Sequence, residues 1–174
     1  MILTGEKIKE EVEKSRICIS PFDDTCLEPN SYGFKLSHEF ITYEKNQILD
    51  PKIDPIIYKF GIPEQGYVLQ PNKIYLGRTL ETMGSNYYAK TLHARFSVSS
   101  MGMWIQFSAP LGHTGAIIPW TLEIMVAHPI RVYPKMLIGK IAFWLNEGEE
   151  YLYNGKYRGS ETVIASKSYL DYGR

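Results

Sequence analysis

The hydrophobic and polar positions divide the chain into one short amphipathic segment followed by many short β-type runs. Leu3 and Ile8 flank Thr4 at the spacing of a hydrophobic staple, and the Thr4 hydroxyl can accept from a first-turn N–H. Ile8 and Val12 share one face while Lys and Glu occupy the others, which predicts a helix over about residues 5–14. Beyond Arg16 the spacing predicts strands at Ile17–Ser20, Gly33–Tyr43, Gly66–Leu69, Lys73–Glu81 and Tyr87–Leu92. It predicts four more at Met103–Ala109, Trp120–Ala127, Ile130–Tyr133 and Met136–Leu145. Such runs, rich in Tyr, Ile, Val and Trp, favour a sandwich or closed barrel over a βαβ sheet. Residues 44–63 hold three prolines and little periodicity and read as a loop or irregular arm. The glycine-rich, polar stretch 147–174 reads as a C-terminal flap on a single domain spanning residues 1–174.

Composition narrows the function classes. The chain has 174 residues, with 19 Lys plus Arg balanced by 19 Asp plus Glu, so no global field draws it to nucleic acid or an anionic membrane. No run approaches the roughly 20 apolar residues of a membrane span. The charged first 16 residues lack the apolar centre of a signal peptide, and two cysteines make no disulfide scaffold. A cytoplasmic protein with reduced Cys18 and Cys26 is the expectation.

The common signatures of phosphate loops and dinucleotide turns are absent, as are the HxE and PCxxC elements that zinc deaminases need. The four histidines are scattered, so no zinc site is expected. Glu123 stands out inside the run Trp120-Thr121-Leu122-Glu123-Ile124-Met125-Val126. Alternation puts Trp120, Leu122, Ile124 and Val126 on one face and Thr121, Glu123 and Met125 on the other. A carboxylate in a partly apolar pocket can exchange protons near neutral pH; on an open sheet face it is only a solvated charge or half of an ion pair.

Several segments, in order, resemble the dCTP deaminase and dUTPase superfamily. Leu122-Glu123-Ile124 followed by residues 129–143 (PIRVYPKMLIGKIAF) is similar to the family pattern "TLEL…PI.LYPGM.IGQL.F". Residues 94–103 (ARFSVSSMGM) are similar to "GRSSLARLGL", residues 29–36 (PNSYGFKL) to "PASYDLRLG", and residues 75–81 (YLGRTLE) to "FLLGTTLE". Residues 155–159 (GKYRG) resemble the flap motif "GKYQGQ". The resemblance implies a distorted, jelly-roll-like β-barrel, a homotrimer with sites between subunits, and deamination of a cytosine nucleotide without zinc. It implies Glu123 as the residue that moves protons, with Arg95, Ser97, Ser99, Ser100, Lys156 and Tyr157 around the substrate and Mg2+ on its phosphates. The expected reaction is dCTP to dUTP with release of ammonia.

The active-site motifs also depart from the family. Phe96 stands where its first Ser is usual and Ser100 where its second Arg is usual, so a hydroxyl and a planar, permanently charged donor are lost. Ser97 and Ser99 keep hydroxyls nearby. His113 replaces the Asp of "AGFIDPGF", the residue that activates water in dUTPases; imidazole titrates near neutral pH, and flanking Gly112 and Gly115 suit a tight backbone beside a ligand. Gly33 stands for another usual Asp, and Ser160 for a flap Gln. Arg95 also suits an intersubunit ion pair, and His113 a plain turn. Three readings fit these changes: deamination of a cytosine nucleotide other than dCTP, a conventional dCTP deaminase compensated elsewhere, and a nucleotide-binding trimer without turnover; a dUTP-type nucleotide pyrophosphatase with His113 in the missing Asp's role is the further enzymatic alternative.

Overall fold

Thr4 caps the first helix: its Oγ1 accepts from the Lys7 N–H at 3.3 Å, and α1 runs over Gly5–Glu13. The computed structural model describes residues 1–149 and 151–173. Leu3 and Ile8 are both buried, and Val12 packs against the same core, as the periodicity predicts. Glu11, on the same inner face, is the unexpected member. Its side chain is 0% exposed and is held by Arg16, by Lys7 Nζ at 3.0 Å and by the Tyr88 hydroxyl at 2.8 Å. These contacts tie α1 to the sheet.

The Arg16 guanidinium, aided by Tyr88 and Lys7, brings the Glu11 carboxyl down to about 2 from its ordinary 4.5. A depressed folded value means the stabilisation is complete above pH 4.5 and is lost as pH falls toward 2. Arg16 and Lys7 are 38% and 41% exposed and can return to water when Glu11 is removed. Glu11→Gln should therefore cost about 2 kcal/mol at pH 7, below the usual penalty for stranding a buried charge. The gap in denaturation midpoint between wild type and variant should shrink at pH 3; a gap independent of pH would contradict the assignment.

Among the described residues twelve strands follow the helix. They are β1 (Ile17–Ser20), β2 (Leu27–Glu28), β3 (Ser31–Tyr43), β4 (Ile57–Gly61), β5 (Tyr67–Leu69), β6 (Tyr75–Ser85) and β7 (Tyr88–Ala94). After the one-turn helix α2 (Phe96–Ser99) come β8 (Met103–Trp104), β9 (Leu111–Gly112), β10 (Ile117–Val126), β11 (Ile130–Val132) and β12 (Leu137–Leu145). Ten of them form one sheet with the path β8-β10-β6-β3-β12-β7-β9, while β11 pairs with β5. Every pairing is antiparallel, and the large sheet curls into a half-barrel around Tyr32, Phe34, Phe40, Ile124, Ile141 and Phe143. Among the described residues no helix is long and apolar enough to cross a membrane.

Three segments differ from the sequence expectation. The region read as an irregular arm contains β4, which pairs with β3 and sends Phe60 against Phe40 and Tyr67, with ring centroids 5.6 and 5.2 Å apart. The strand expected over Met103–Ala109 stops at Trp104, because the Phe107 N–H turns to a side chain instead of a neighbouring strand. Residues 96–99 form a helical turn with Val98 alone buried, too short to show a period.

Candidate active site

β10 carries Glu123 along the wall of a cavity of about 540 Å³. Leu122, Ile124 and Val126 point into the core, so Thr121, Glu123 and Met125 take the opposite face, as alternation requires. Trp120 packs against the same core, as alternation predicts, and also reaches the cavity. Pro119 has no N–H for the ladder, the register with β6 shifts between Pro119 and Thr121, and Trp120 donates its backbone N–H to Thr79 Oγ1 at 2.9 Å. The slip lets the indole line the cavity beside Glu123 while its Nε1 donates to the Met83 carbonyl at 2.9 Å.

Glu123 is half-buried, and its Oε2 accepts from the Phe107 N–H at 3.0 Å. Among the described residues neither an ion pair nor a second hydrogen bond engages its carboxylate. One oxygen is thus fixed, and the other accepts no hydrogen bond among the described residues.

His113 lies on the same wall, its ring stacked on Tyr153 with centroids 5.6 Å apart and planes 10° from parallel. Gly115, at φ +91°, lets the hairpin turn where a Cβ would sit 2.9 Å from the Tyr153 nitrogen. Tyr153 belongs to the C-terminal segment, which folds back over the cavity. Its N–H donates to the Thr114 carbonyl at 2.8 Å, the Ile164 N–H to Thr121 Oγ1 at 3.1 Å, and the Ser166 N–H to the Tyr43 hydroxyl at 3.3 Å. Val163 is buried against Ile41 and Leu76, and Tyr157 and Ser160 complete the cover.

The remaining sequence candidates are distributed differently. Lys156 sits in this segment but is ion-paired with Asp171 and does not line the cavity. Arg95, Ser97, Ser99 and Ser100 cluster at α2, also off their own chain's cavity. Arg95 Nη2 lies 3.4 Å from Glu28 Oε1. A Cβ at Gly33 would be 3.6 Å from the Arg95 guanidinium, so an Asp there would reach that cation; in this chain Glu28 takes it instead. Phe96, at 81% exposure, projects from the same turn. Among the described residues no group of three or more His, Cys, Asp or Glu could hold a metal ion. Sequence reasoning missed Phe107, which acts through its backbone and leaves no residue signature, and Tyr153, one of three tyrosines within residues 151–157 with nothing to single it out. It also missed Trp120 at the cavity, although Pro119 signalled a break in the ladder.

A family model described as dCTP deaminase-like matches residues 2–146. The chain belongs to the dCTP deaminase-like family. A relative from Hathewaya histolytica, named "dCTP deaminase, dUMP-forming", is 40% identical over 99% of both chains. Relatives of the same name from Cytophaga hutchinsonii and Leptospira biflexa are 39% and 36% identical, each over 99% of this chain and 99% and 98% of their own. The crystal structure of 2'-deoxycytidine 5'-triphosphate deaminase from Agrobacterium tumefaciens shares the fold, with a TM-score of 0.66 at 15% identity. That match covers 83% of this chain and 48% of the other. Family membership accounts for the curled antiparallel sheet and for the order of the motifs along it.

Proposed function

We propose that the protein hydrolyses dCTP to dUMP, ammonia and pyrophosphate, with Glu123 carrying protons in the deamination step. The observation that carries this reading is the Glu123 carboxylate on the cavity wall, held at one oxygen by Phe107 and unpaired at the other. The relatives' names support the substrate and move the expected product from dUTP to dUMP.

In the first step water adds to carbon 4 of cytosine and gives its proton to Glu123. Glu123 passes that proton to ring nitrogen 3, then takes the proton of the new C4 hydroxyl and gives it to the amine; the C4–N bond breaks, ammonia leaves, the C4 carbonyl of uracil forms and the carboxylate is regenerated. The Thr121 hydroxyl, beside Glu123 on the wall, is a candidate donor to the tetrahedral intermediate. In the second step another water attacks the α-phosphorus, the bridge to the β-phosphate breaks, and pyrophosphate leaves. His113 suits the removal of this water's proton, its ring orientation being fixed by Tyr153.

The working unit in this reading is a homotrimer in which Arg95, Ser97, Ser99 and Ser100 of one protomer face a neighbour's cavity. The support is that they sit on a surface turn beside exposed Phe96, Met101 and Trp104. Arg95 then meets the phosphates with Tyr157 of the C-terminal segment, Lys156 joins them by exchanging Asp171 for a phosphate, and Mg2+ brought with the substrate would neutralise part of the phosphate charge. No zinc enters this scheme, and a cytoplasmic location goes with it.

Incubation with dCTP should yield ammonia, dUMP and pyrophosphate in equal amounts, without free dUTP accumulating. Accumulation of dUTP would remove the second step. Binding of dCTP without any product would favour the non-catalytic trimer.

A further inference from the structure

Lys90 on β7 is a lysine with 0% exposure. Its ammonium donates to the His113 carbonyl at 2.7 Å and to the Ser85 carbonyl at 3.4 Å, and lies 5.9 Å from the centroid of the Trp120 ring. Burial alone brings its pKa down to about 8, with no carboxylate offsetting the cost. A side chain serving only to fill this space would be apolar, since an unpaired buried cation is expensive.

Its three contacts converge on one structure. His113 and Trp120 both line the Glu123 cavity. The Ser85 carbonyl also accepts from the Gly115 N–H at 2.8 Å, so Lys90 and Gly115 hold the two sides of the His113 turn to the end of β6. Gly112 completes the fit, because a Cβ there would lie 2.7 Å from both the Lys90 Cγ and the tip of Trp120. The next residue, Thr114, accepts the backbone bond from Tyr153 and a side-chain bond from Asn146 at 2.9 Å. The lysine therefore stands behind the hairpin, the indole and the docked C-terminal segment together.

We propose that Lys90 is a positioning residue: its buried ammonium clamps the His113 hairpin against Trp120 and so fixes the cavity wall that holds the substrate. This rests on the reading of the cavity as the dCTP site.

Lys90→Met keeps the length of the side chain and removes its donors. KM for dCTP should rise about tenfold while kcat stays within about threefold, the signature of binding lost equally from the ground and transition states when the wall loosens. The Gly115 and Tyr153 amides should exchange hydrogen about tenfold faster, with the Ile124 amide of β10 unchanged. Gly112→Ala, which wedges the same contact and leaves the cation in place, should move both readouts in the same direction and covers the case in which Lys90→Met does not fold. Wild-type KM with unchanged exchange at Gly115 and Tyr153 in the folded variants would overturn the proposal. Hydrogen exchange reads the clamp without substrate, so an inactive wild type would count against the dCTP reading and leave the clamp decided by exchange alone.

Discussion

Glu123→Gln should lower ammonia release from dCTP by about 10³-fold or more, because one group serves as both base and acid in the deamination. The amide keeps the shape of the side chain and an oxygen that can accept from the Phe107 N–H at the present 3.0 Å. What it removes is the ability to take a proton from water and give it back. Thermal stability should stay close to wild type, since Glu123 makes no ion pair among the described residues. The substrate should still bind, so kcat and kcat/KM fall together. Pyrophosphate release from added dUTP should survive, because that step is assigned to His113. Undiminished ammonia release would end the role given to Glu123.

The second large effect concerns the C-terminal segment. A chain ending at Asn146 retains every strand but loses Tyr153, Tyr157, Ser160 and Ile164 from the cavity wall. Turnover of dCTP should fall about 100-fold, since a closed site excludes water from the charged steps and holds the substrate in line. Stability should fall by about 2 kcal/mol, chiefly from exposing the site that buries Val163. His113 loses its stacking partner in the same change. Unaltered kcat/KM in the truncated chain would show that the segment packs on the cavity without serving it.

Much of the fold is legible in the residues because its determinants are local. Thr4 and the Leu3–Ile8 pair announce α1, and β-branched and aromatic runs announce β1, β3, β6, β10 and β12 within a few residues of their observed ends. β4 is hidden because Pro51, Pro55 and Pro63 crowd it and its five residues are mostly exposed, with Phe60 and Tyr58 alone joining the aromatic cluster. The premature end of β8 depends on a backbone N–H choosing the Glu123 carboxylate, a decision made across 16 positions of chain. Buried charge was the least visible feature. Glu11 and Lys90 look like surface residues in a one-dimensional pattern, and only the packed fold supplies the Arg16 and Tyr88 partners of one and the two carbonyls of the other.

The candidate site was legible to a similar depth. Glu123 and His113, remote in type and ten positions apart, do share one cavity, as do Tyr157 and the face carrying Thr121. Arg95, Ser97, Ser99 and Ser100 lie together yet off that cavity within one chain. A single chain's sequence carries no statement of which surface meets a neighbour, so their relation to Glu123 passes through the proposed trimer.

The central claim is that the carboxylate of residue 123 meets the reacting edge of a bound cytosine. A crystal structure of Glu123→Gln soaked with dCTP tests it most directly. The pyrimidine should lie between Trp120 and the C-terminal segment, with the side chain of residue 123 within hydrogen-bonding distance of the exocyclic amine or ring nitrogen 3. A base seated elsewhere, with residue 123 facing only solvent, would contradict it.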